Sequence, residues 1–165
     1  VLITSVFSHS AFFHLLINMF VLRGFGTVIA RLIGTQKFIL FYLLAGISGS
    51  IAHALVSNFL MSSPDLPALG ASGAIAGIIL FFSIMFPNEK LLLLGIIPLK
   101  ARWASLLIIT IDLWGLIEQT RGGGLAIGHG AHLGGAFIGI VYAVALKHNR
   151  SLLTRSLSKQ HVEDR

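Results

Sequence analysis

Apolar positions dominate the chain in long runs, separated by short pieces rich in Gly, Pro and charge. Five runs approach the ~20 residues a helix needs to cross the hydrocarbon core of a bilayer. They cover Ala11–Ala30, Phe38–Phe59, Ala71–Phe86, Ala101–Ile117 and Gly128–Leu146. The third is short and begins with small residues. The connecting pieces, "RLIGTQK", "SNFLMSSPDLPALG", "PNEKLLLLGIIPLKAR" and "EQTRGGGLAIGHG", carry the turn formers. Within the third connector, "LLLLGIIPL" is apolar but broken by Gly95 and Pro98. It is expected to be a loop lying on the membrane or dipping into it. The pattern predicts an all-α, polytopic membrane protein. Residues 1–147 form its core, and residues 148–165 form a basic, polar tail, expected as a short interfacial helix.

Composition supports lipid as the solvent. Of the 165 residues, 55 % are apolar and 11 % charged, about half the charged share of a soluble domain. There is no cysteine, which excludes disulfides and thiolate chemistry. The first residues, "VLITSVFSHSAFFH", lack the basic start of a signal peptide and open in mid-pattern, so a missing N-terminal piece is expected.

The net charge of +6 raises nucleic acid as a partner, and its placement removes that reading. Arg31 and Lys37 follow the first span, and Lys90, Lys100 and Arg102 follow the third. Lys147, Arg150, Arg155, Lys159 and Arg165 follow the fifth. With alternating spans these ends share one side, which the positive-inside rule marks as cytoplasmic or its equivalent. The starts of spans one, three and five then share the outer side. His9, His14, Ser72 and His132 lie near those starts.

Ionisable and polar groups at membrane depth are costly, so each is a functional candidate. His14 and Asn18 are one helical turn apart and share a face. Ser72 opens the third span and His132 the fifth. A hydroxyl with an imidazole in reach makes a nucleophile and its base. The Asn18 amide, the His14 ring and the Ser72 backbone N–H can serve as donors to a developing oxyanion. No carboxylate is expected at this level. Asp112, in "TIDLWG", is the nearest and is assigned a structural hydrogen-bond or helix-end role, leaving a Ser–His dyad. Gly73 with Gly77, and Gly135 with Gly139, are small-residue stripes that let two spans close on one another.

These residues resemble the rhomboid intramembrane serine proteases. "GASGA" is similar to the family's serine motif, "AHLGG" to its histidine motif, and "HSAFFHLLINM" to its H-x4-H-x3-N pattern, in family order from His9 to Lys147. The resemblance implies a rhomboid-like helical bundle with five of six core transmembrane helices present, the first being absent. It implies Ser72 as nucleophile, His132 as general base, and His14 and Asn18 as oxyanion-hole side chains. His9, Gly70 and His129 are supporting candidates. It further implies transmembrane protein substrates within a lipid bilayer, and no metal or organic cofactor. The wording "SHSAFFHLLINM" leans toward the mitochondrial presenilin-associated type or its bacterial relatives, hence an inner membrane of either kind. Ala76 stands where some bacterial members carry a tyrosine that stacks on the histidine. Two other classes compete: an inactive rhomboid-like chaperone, which would be expected to lose Ser72 or His132, and a small transporter with a histidine relay, which would need acidic partners and inverted repeats.

Overall fold

A computed structural model describes residues 12–61, 71–93, 97–123 and 127–163, with side chains to residue 151. It contains five helices and one small hairpin among the described residues. Helix α1 runs Phe12–Ile33 and α2 runs Thr35–Leu60. Gly34 separates them with φ +88°, a left-handed conformation that Gly adopts without a Cβ penalty. Helix α3 is Ser72–Met85, α4 Ala101–Thr120 and α5 His129–Glu163. All begin within a few residues of the apolar runs, and all but α5 also end near them. Helices α1, α2 and the His129–Ser151 part of α5 are long and apolar enough to cross a membrane. Helix α3 is shorter, with 14 residues, and its middle is almost wholly buried.

Two elements depart from the sequence expectation. The apolar connector before α4 pairs as an antiparallel hairpin rather than a loop, with β1 (Lys90–Leu93) against β2 (Ile97–Lys100). Backbone groups near lipid need partners, and pairing supplies them. Pro98 fits because each strand of a lone pair has a free edge. The second is that the tail does not begin a separate helix: α5 continues through it to Glu163.

Helix α3 sits at the centre, packed chiefly on α5 and α2. Glycine sets these contacts. A Cβ on Gly135 would overlap the Gly73 carbonyl, and one on Gly139 the Gly77 carbonyl. A Cβ on Gly77 would stand 2.6 Å from the Gly135 carbonyl oxygen. Residue numbers rise together along this seam, so α3 and α5 run parallel and start at the same end. Against α2 the order reverses: Gly49 lies on Ala131, and Ala45 on Gly77. Ser48 Oγ donates to the Gly134 carbonyl at 2.8 Å, adding a polar tie to that seam. Toward the other end the core is aromatic, with Phe41, Phe81 and Tyr142 mutually in contact at centroid distances of 5.3 to 5.4 Å. The outward faces are apolar, as lipid requires; Phe20 and Trp114 are 80 % and 65 % exposed. The chain is thus a multi-pass integral membrane protein.

Candidate active site

Ser72 is the first residue of α3, where backbone N–H groups have no intrahelical acceptor. The helix starts there because the chain leaves a Pro- and Gly-containing stretch and enters an uninterrupted small and apolar run. Gly73, next to Ser72, packs on the Ala131 carbonyl, next to His132. Ser72 and His132 therefore flank the same crossing of two parallel helices. Both side chains are partly buried. No hydrogen bond joins Ser72 Oγ to His132 among the described residues.

His132 is held from its other side. Its Nδ1–H donates to Asp112 Oδ1 at 2.9 Å. The same oxygen accepts Nδ1–H of His129 at 2.7 Å. An ionised carboxylate only accepts, so each ring presents Nδ1–H to it, and in the neutral tautomer that leaves the Nε2 lone pair open. Asp112 and His129 are 5 % and 4 % exposed, while the His132 side chain keeps 22 % of its surface. Gly115 leaves the space that the His129 ring fills, since a Cβ there would overlap the imidazole.

This corrects the expectation that no carboxylate shares the level of the histidine. Asp112, assigned a structural hydrogen-bond or helix-end role, is the partner of His132 that sequence reasoning did not pair with it. Its spacing to the histidines carries no signal, because the contact joins the faces of two different helices, and a helical period says which residues share one face, not which faces meet. The signal that existed was the cost of an acid in mid-span, which marks Asp112 as partnered. His129, expected as a supporting neighbour, is part of the hydrogen-bonded cluster.

On α1, Asn18 is the buried residue of Phe12–Val21 and His14, one turn earlier, is half-buried. Their neighbours on that helix are mostly exposed, so the His14–Asn18 face is the one turned toward α3, which α1 touches. His9 and Gly70 lie outside the described residues.

The family model for the Rhomboid domain matches residues 1–149. The chain belongs to the rhomboid family. Rhomboid protein 1, mitochondrial, of Saccharomyces cerevisiae is 33 % identical over 141 residues, covering 86 % of this chain and 40 % of the yeast protein. Presenilin-associated rhomboid-like protein, mitochondrial, of Rattus norvegicus is 34 % identical over 149 residues, covering 86 % of this chain and 36 % of that protein. RHOMBOID-like protein 12, mitochondrial, of Arabidopsis thaliana is 34 % identical over 161 residues, covering 90 % and 47 %. This rhomboid chain thus spans less than half the length of these relatives. The helical fold, the membrane setting and the family all agree with the sequence reading.

Proposed function

We propose that this rhomboid chain is an intramembrane serine endopeptidase acting on transmembrane proteins. Ser72 is the nucleophile, His132 the general base, and Asp112 the positioning carboxylate. The observation that carries this reading is the Asp112–His132 hydrogen bond, 2.9 Å long, at the crossing where Gly73 meets Ala131. With Nδ1–H committed to Asp112, the His132 Nε2 lone pair is free to take the Ser72 proton. Catalytic hydrogen bonds are often long before substrate binds, and Ser72 Oγ closes on Nε2 as the substrate enters.

Ser72 Oγ then attacks the scissile carbonyl. The oxyanion is held by the Ser72 N–H at the start of α3, the Asn18 amide and the His14 ring. Collapse of the tetrahedral intermediate expels the amine, which takes its proton from His132, and leaves an acyl-Ser72. Water, deprotonated by His132, attacks the acyl carbonyl and releases the product. A substrate helix must unwind to present its carbonyl, which lipid resists, so segments with Gly or Ala near the outer face are favoured. The proposal extends to a mitochondrial membrane, on the strength of three relatives named mitochondrial.

The test is labelling by a fluorophosphonate probe in detergent. Wild type is labelled on Ser72, while Ser72→Ala and His132→Ala are not, and both variants keep wild-type helix content. Labelling of Ser72 that persists in a folded His132→Ala variant refutes the pairing.

A further inference from the structure

Two imidazole nitrogens and a carboxylate oxygen converge at the α4–α5 junction. One ring nitrogen of each of His129 and His132 and a carboxylate oxygen of Asp112 lie within 4.8 Å of one another, and the two Nδ1 atoms stand at 2.7 and 2.9 Å from Asp112 Oδ1. We propose that this cluster is a binding site for a zinc-class divalent cation, and that its occupancy switches the rhomboid chain off.

The donor set suits such an ion. Zinc takes imidazole nitrogen and carboxylate oxygen at about 2.0–2.2 Å, which places ligands of a tetrahedral site ~3.4 Å apart. The two N–O separations, 2.7 and 2.9 Å, need to open by only a fraction of an ångström. Both rings already aim Nδ1 at one oxygen, so their lone pairs converge once the protons leave, and the carboxylate steps back to become the third ligand. The carboxylate also offsets part of the ion's charge in a buried place, where an unpaired charge would be costly. The fourth position falls to water on the side of His132, whose side chain is 22 % exposed while Asp112 and His129 are nearly closed. An ion therefore enters and leaves past His132.

The inhibitory consequence follows from the tautomer and rests on the proposed role of His132. An ion on Nδ1 displaces that proton to water, and the neutral ring takes one from water on Nε2. The ring's proton count is unchanged, but Nε2 now bears hydrogen and cannot accept the Ser72 proton. The Asp112 contact that oriented the ring is lost in the same event. The ion is a brake on the site rather than a participant in the reaction.

The experiment uses the full chain, free of any affinity tag, in detergent micelles. Zinc is added to equivalence, excess is removed by gel filtration, and the zinc-edge X-ray absorption spectrum is recorded. One ion retained with scattering from two imidazoles is expected, together with a parallel loss of peptide cleavage that a chelator reverses. Replacing zinc with cobalt should give the intense visible bands of a tetrahedral ion. His129→Gln should weaken retention by at least the ~100-fold that loss of an outer-shell partner can reach. No ion retained, an ion without imidazole scattering, or equal retention by His129→Gln overturns the site. A bound, imidazole-ligated ion that leaves cleavage untouched keeps the site but removes the brake, and with it His132 as the base. Loss of Ser72 labelling in zinc-free protein would instead strike the protease reading and the brake that rests on it, while ion retention still decides the site.

Discussion

Asp112→Asn isolates what the carboxylate contributes. Asn has nearly the shape of Asp and its carbonyl oxygen still accepts, so one neutral hydrogen bond survives while the charge is lost. In the proposed transition state His132 has taken the Ser72 proton and is an imidazolium. A hydrogen bond involving a charged group is worth about 1.5–3 kcal/mol, against ~1 for a neutral pair. Exchanging the charged contact at 2.9 Å for a neutral one removes the difference, about 0.5–2 kcal/mol, from the transition state. At 1.4 kcal/mol per factor of ten, kcat falls about 2- to 30-fold. KM should stay within about twofold, because Asp112 is buried beneath the histidines and does not meet substrate. The assay is cleavage of a fluorogenic transmembrane peptide in detergent, with the rate of fluorophosphonate labelling as a second readout that needs no substrate helix. Both should drop together. An Asn variant with native helix content, undiminished kcat and wild-type labelling would refute the positioning role. So would a rise in KM with kcat unchanged.

Other expectations follow from separate parts of the bundle. Asn18→Ala should lower kcat about 100- to 1000-fold with little change in KM, since it removes one proposed oxyanion donor; a loss below tenfold would exclude Asn18 from that role. Gly135→Leu should prevent α5 from seating on α3, because even a methyl there overlaps the Gly73 carbonyl; trypsin resistance in micelles should be lost. Ser83 Oγ is buried without a hydrogen-bond partner among the described residues, so Ser83→Ala should raise thermal stability by about 1 kcal/mol. A lower Tm for that variant would show that the hydroxyl is satisfied.

Much of this arrangement was legible in the sequence because lipid simplifies the code. Long apolar runs set the helices, and the positions of Arg31, Lys37, Lys90 and Lys147 separated the two ends of the bundle. The small-residue stripes named the α3–α5 seam, which the contacts of Gly73, Gly77, Gly135 and Gly139 bear out. Asp112 was not legible as a partner of His132. Periodicity tells which residues share one helix face, not which face of another helix it meets, and α4 presents polar and apolar residues around its whole circumference. The hairpin at Lys90–Lys100 was missed for a different reason. Four leucines in a row suit a membrane-facing loop as well as a strand, and the pairing partner lies beyond an intervening Gly.

The contact between α3 and α5 is made by main chain on main chain, with Gly135 against the Gly73 carbonyl and Gly139 against that of Gly77. Such a joint has no fine adjustment. Side chains elsewhere can grow or shrink by small trades of shape, but here the smallest step available is a whole methyl group, and there is no room for it. The spacing between Ser72 and His132 is thus quantised. Change of shape around this joint is left to the surrounding helices, α1 and α4, while the central pair moves, if at all, as one rigid unit.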